Sequence, residues 1–240
     1  MTAAEDQTTA SRRTGLGWTL GTGAALGAVS LALDELDSPA GEVLRGLFGG
    51  GFAWGVAALF AGYLTRGRRL AQVRATVLLV TAILVYYGLI VAVGHRWRGA
   101  MVVDGSSAVW VSLASVGRAV LLWLAGAVVA GILMGWLGER IRSGSRYTGA
   151  LAAGLAAGLL SGQAVALSAR VLSWPELDRT GWSLLTSAAL TVLLAIAGPA
   201  AMLGRANRRP SWLAYLATAA GMSVVAALAW TAVEAVRTSI

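Results

Sequence analysis

The residues able to do chemistry in this chain are few, and most lie in or beside apolar runs. Tyr86 and Tyr87 are adjacent in LVYYGLIVAV, and Gln163 interrupts LLSGQAVAL. A phenol and a carboxamide in such surroundings can orient the buried polar group of a ligand. They can equally tie one helix to another, through bonds worth about 0.6–2 kcal/mol in membranes. Consecutive helical positions diverge by about 100°, so the two tyrosines cannot line one cavity equally. Arg118, in SVGRAVLLWL, is a third ligand-binding candidate. Its alternative role is to extend its guanidinium to lipid headgroups. Glu35 and Glu234 are the two carboxyls that could serve as a general acid. Neither falls at mid-depth in an apolar run.

Other chemistries are poorly supplied. The run DELD holds Asp34, Glu35 and Asp37, and on a helix Asp34 and Asp37 would share a face. Pro39 implies that the helix is ending there, which makes the run a weak cation site. His95 is the single histidine, flanked by Arg96 and Arg98, and reads as a headgroup-facing residue at a helix exit. One histidine and no cysteine exclude thiolate and multi-histidine metal centres, disulfides and cysteine nucleophiles. No Walker loop, HExxH, dinucleotide fingerprint or GxSxG elbow occurs, so neither a metal nor a cofactor is expected.

The elements that must position these residues follow from composition. Of 240 residues 57% are hydrophobic and 12% charged, with a mean hydropathy of +0.71. Soluble chains carry roughly 25% charged residues, so this is a membrane protein. About 20 apolar residues cross a hydrocarbon core. Seven segments qualify, near 15–33, 46–65, 75–94, 119–138, 148–168, 183–203 and 211–236. The expected fold is therefore an all-α integral membrane bundle of seven transmembrane helices. Residues 1–14 read as a disordered cytoplasmic tail and 15–240 as one membrane domain. Within 100–118, where the sequence leaves the conformation open, MVVDGSSAVWVSLASVGR is compatible with an interfacial helix. The first span, rich in glycine and threonine, is expected inside the bundle.

All nineteen basic residues are arginines. With a cytoplasmic N-terminus, Arg12, Arg13, Arg66, Arg68, Arg69, Arg74, Arg140, Arg142, Arg146, Arg205, Arg208 and Arg209 fall inside, leaving seven outside. Of the eleven acids, all but Glu5, Asp6 and Glu139 then lie outside. This predicts N-in, C-out topology in the plasma membrane. The formal charge of +8 is thereby assigned to anionic headgroups rather than nucleic acid. Two basic segments resemble each other, GYLTRGRRL at 62–70 and GWLGERIRS at 135–143, through duplication or through shared loop composition.

Glycines four apart (17 and 21, 23 and 27, 51 and 55, 131 and 135, 154, 158 and 162) predict close helix contacts. Trp18, Trp97, Trp136, Trp174, Trp182 and Trp212 sit near span ends as interfacial anchors.

The glycine-rich first span, GGGFAWGVAALFAGYL, the YYG at 86–88 and WLAGAVVAGILMGWLGER resemble a family of small multi-pass membrane proteins of high-GC Gram-positive bacteria. That family is classed as a domain of unknown function, so the resemblance implies a fold and no catalytic residue. Where relatives often carry an asparagine-containing stretch, this chain has LRGLFGGG at 44–51. Three functions fit the sequence. One is binding or passage of a small amphiphile or lipid through an outward-facing polar cavity. Another is an accessory subunit of a membrane-protein partner. The third is an intramembrane enzyme using a carboxylic acid, in the manner of membrane terpene cyclases.

Overall fold

A computed structural model describes residues 3–36, 38–93, 109–206 and 209–239, and all regular structure among them is helical. The helices are α1 (Ala3–Asp34), α2 (Pro39–Phe48), α3 (Gly51–Leu64), α4 (Arg68–Val93), α5 (Val109–Ser143), α6 (Arg146–Val171), α7 (Arg179–Ala206) and α8 (Trp212–Ser239). Six are long and apolar enough to cross a membrane, while α2 and α3 form a pair bent by 49°. The segment expected as one helix over 46–65 is thus two. Gly49, Gly50 and Gly51 explain the break, since glycine is the poorest helix former after proline.

Helix α1 runs from Ala3 to Asp34, and its stretch able to cross a membrane begins at Gly15. The described part of 100–118, from Val109 onward, runs unbroken into α5. One further expectation changes. The buried position belongs to α6, with 61% of its most apolar stretch covered against 22% for α1. Alanine and glycine dominate the covered face of α6, from Gly149 to Ala164. Small residues let α3, α5, α7 and α8 all approach it.

Glycine spacing translates into contact at most of the expected places. A methyl at Gly154, Gly158 or Gly162 would collide with Tyr215, Met222 or Ala226 of α8. At Gly158 the collision is with Met222 Cβ at 2.5 Å. Gly23 and Gly27 lie against the carbonyls of Leu78 and Ala82 on α4, and Gly131 and Gly135 against Thr76 and Ala71. Gly17 and Gly21 are different, for they face open space. The two resembling segments meet each other: a methyl at Gly62 would stand 2.5 Å from the Gly135 carbonyl.

That crossing brings the arginine loops to one end of the bundle. Buried Thr65 ends α3, and its carbonyl accepts from Arg142 Nη2 at 2.6 Å. Arg74 Nη1 donates to the Thr65 hydroxyl at 3.4 Å, and the same side chain lies against Gly15 of α1. Gly67 then turns the chain into α4 with φ of 92°, a left-handed conformation that disfavours any side chain. Arg66, Arg68, Arg69, Arg140, Arg146, Arg205 and Arg209 remain exposed around this end.

Pro199 lies inside α7 and cannot donate to the carbonyl of Ala195. Buried Tyr215 of α8 donates its hydroxyl to the adjacent Ile196 carbonyl at 2.5 Å, and Tyr63 of α3 donates to Met202 at 3.3 Å. These bonds tie the backbone of α7 to α8 and α3 on either side of Pro199.

Candidate functional site

At the end of the bundle opposite the arginine loops, the break between α2 and α3 gathers most of the polar chemistry. Helix α2 starts cleanly: the Ser38 hydroxyl accepts from Gly41 N at 3.0 Å, Pro39 follows, and Glu42 lies in the first turn. It stops at Gly49, whose amide donates to the Arg45 carbonyl at 2.7 Å. Gly50 is extended, with φ −94° and ψ 179°, and has no side chain with which to cap α3.

Such a break leaves backbone groups without helical partners, and an apolar medium makes that costly. Three side chains answer it, two of them from other helices and one from α3 itself. Gln163 of α6 accepts from Gly51 N through Oε1 at 2.8 Å, acting as the cap that Gly50 lacks. The Phe48 carbonyl accepts from Ser30 Oγ at 3.2 Å and from Trp54 Nε1 at 3.0 Å. Trp54 Nε1 also lies 3.2 Å from Ser30 Oγ as donor.

Ser30 and Asp34 are one turn apart on α1 and so share a face. Asp34 Oδ2 accepts the Tyr86 hydroxyl at 2.6 Å, a short bond of the charge-assisted kind. The Tyr86 ring meets Trp54 edge-on at 6.2 Å and Tyr87 edge-on at 5.1 Å. Asp34 Oδ1 and Arg45 Cγ each lie 3.5 Å from the point a methyl on Gly49 would occupy. The Asp34 carboxylate and the aliphatic stem of Arg45 therefore flank the same glycine.

The candidates read from the sequence divide accordingly. Tyr86 and Gln163 both serve the break, Tyr86 through Asp34 and Gln163 directly, and no hydrogen bond joins the two among the described residues. Tyr87 flanks Tyr86 but packs toward the apolar core. Tyr86 stands seven residues, about 10 Å, before Val93, the last described residue of α4. Arg118 is exposed, nine residues into α5, and donates to none of these groups. Glu35 is exposed in the turn after α1. Glu234 is half-buried on α8, one turn beyond Trp230, whose ring stands 3.1 Å from the methyl position on Gly51. Asp37, His95, Arg96 and Arg98 lie outside the described residues.

Ser30, Trp54 and Arg45 were not singled out from the sequence, and Asp34 appeared only as part of DELD. The run GGG at 49–51 is the signal that could have found them, because a break there must recruit hydrogen-bond partners. Asp34 is paired with a phenol, not with other acids. No family model, curated protein or solved structure matches the chain.

Proposed function

We propose that the chain is a seven-span plasma-membrane protein that holds a small amphiphile by its polar head at the broken second span. In this reading α2 and α3 together make one crossing. The arginine end is cytoplasmic, following the bias of basic residues toward that side, and the break lies near the outer surface. The N-terminus is then inside and the C-terminus outside. Broken helices with polar groups at the interruption are how many membrane carriers build a substrate site. We further propose membership of the glycine-rich multi-pass family on the segments quoted above.

One observation carries the reading: the Asp34 carboxylate, hydrogen-bonded by Tyr86, stands beside a backbone break in an otherwise apolar bundle. Ionisable groups in such positions are costly and commonly serve a ligand or ion. Exposed Glu35 gives the carboxylic-acid enzyme less to build on, because a general acid must be screened from bulk water beside its substrate.

The test is native mass spectrometry of protein purified in mild detergent, with extraction of what stays bound. One molecule per chain is expected in the wild type and a marked loss in Asp34→Asn and Gln163→Leu. Heterogeneous lipid that is indifferent to both substitutions would refute the site.

A further inference from the structure

Around Gly49 two opposite charges are neighbours without being partners. Asp34 spends one oxygen on Tyr86, and among the described residues Oδ1 accepts nothing. Arg45 donates from Nη2 to the Leu36 carbonyl at 2.9 Å, while its Nε is buried with no hydrogen-bond partner. No salt bridge joins the two residues, although Asp34 Oδ1 and Arg45 Cγ approach the same methyl position to 3.5 Å. Near a membrane, oppositely charged side chains that meet at one glycine gain from pairing unless each is held elsewhere. Tyr86 holds one and the Leu36 carbonyl holds the other.

The unused hydrogen-bonding capacity is therefore an acceptor on Asp34 and a donor on Arg45, two residues whose side chains both reach Gly49. We infer that the site takes a zwitterionic head group, its ammonium N–H on Asp34 Oδ1 and its acidic oxygen on Arg45 Nε. This rests on the amphiphile-binding reading and specifies its ligand. A purely anionic head would meet the carboxylate, and a purely cationic one the guanidinium. Only a head carrying both charges satisfies both residues. Trp54 and Tyr86 border the ammonium side, where aromatic rings tolerate a cation well. A phospholipid with an aminoethyl phosphate head and a free zwitterion of the same kind share this chemistry.

The experiment places the full chain in phosphatidylcholine nanodiscs doped with either phosphatidylethanolamine or phosphatidylglycerol. Retained lipid is counted after release, and a parallel arm adds soluble phosphoethanolamine to the detergent-purified protein. Phosphatidylethanolamine retained about tenfold over phosphatidylglycerol is expected, the size of one charge-assisted contact. Asp34→Asn should bring that ratio close to one, and Arg45→Gln should lower phosphatidylethanolamine retention by a similar factor. Both variants must keep the wild-type elution profile and helical content; Gly88→Ala on α4, where the methyl would meet nothing within 4 Å, serves as a control near Tyr86. Competition by phosphoethanolamine, lost in the two charge variants, assigns the site to a free zwitterion. Lipid retention without such competition assigns it to the bilayer. A wild-type ratio near one, or a ratio unchanged by Asp34→Asn, overturns the inference. If a molecule lacking paired charges stays bound, is lost in Gln163→Leu and ignores both charge variants, the amphiphile site stands and its zwitterion preference falls. No bound molecule in any arm removes both.

Discussion

Gln163 and Gly51 are 112 positions apart in the chain, yet the amide oxygen of one caps the helix begun by the other, at 2.8 Å. The first turn of α3 is thereby fixed to α6, the most enclosed helix of the bundle. Gln163→Leu should leave the Gly51 amide unsatisfied and destabilise the protein by about 1–3 kcal/mol. Gln163→Glu, which keeps an acceptor in place, should cost less. Amide exchange at Gly51–Trp54 is the direct measure, and identical protection in wild type and Gln163→Leu would show that the bond contributes nothing.

Asp34 and Tyr86 should be energetically coupled. A double-mutant cycle of Asp34→Asn and Tyr86→Phe, followed by denaturant unfolding in micelles, is expected to give an interaction of about 1.5–3 kcal/mol. Additive effects would mean that the phenol is better satisfied by water than by the carboxylate.

The glycines should divide into two groups under substitution. Gly158→Val forces a branched side chain into the Met222 backbone and should cost more than about 3 kcal/mol, enough to separate α6 from α8. Gly17→Ala and Gly21→Ala meet nothing within 4 Å and should raise stability by up to about 1 kcal/mol through helix propensity. Thermal aggregation in detergent ranks all three. A destabilised Gly21→Ala would reveal a contact surface on α1 beyond this chain.

Topology is open to a direct check because the chain has no cysteine. Tyr147→Cys, at the exposed arginine end, and Ser173→Cys, after α6, lie at opposite ends of one helix. An impermeant maleimide added to intact cells should label Ser173→Cys and spare Tyr147→Cys. The reverse pattern would invert the assignment of sides and place the break in the cytoplasm.

Helix positions were largely legible in the sequence, because uninterrupted apolar runs and arginine-rich loops are strong and local signals. Much of the packing was legible too: glycines four apart found their neighbours at Gly23, Gly27, Gly131, Gly135 and along α6. The exceptions have physical causes. Spacing alone cannot tell which of two glycine-bearing faces a helix turns to its partner, so Gly17 and Gly21 were misread. Hydropathy averages across a window, and GGG between two apolar stretches therefore looked like continuous helix. The same averaging hid Trp54 as a hydrogen-bond donor. The kinship of GYLTRGRRL and GWLGERIRS also has a spatial counterpart: their glycines share one crossing, and backbone proximity there demands the same small residue from both strands of the contact.

Helix α8 packs on α6 along a seam of small residues, and its Trp230 lies over Gly51. It is also synthesised after α3, α6 and α7. Until it arrives, the Gln163–Gly51 edge of the break stands open to lipid, and the Ile196 carbonyl beside Pro199 lacks the Tyr215 hydroxyl. Its insertion therefore covers the break beside Gly51 and brings the Tyr215 donor to α7 at once, like a stave driven into a cask. Truncations within α8 should for that reason damage α3 and α7 well before they disturb α1.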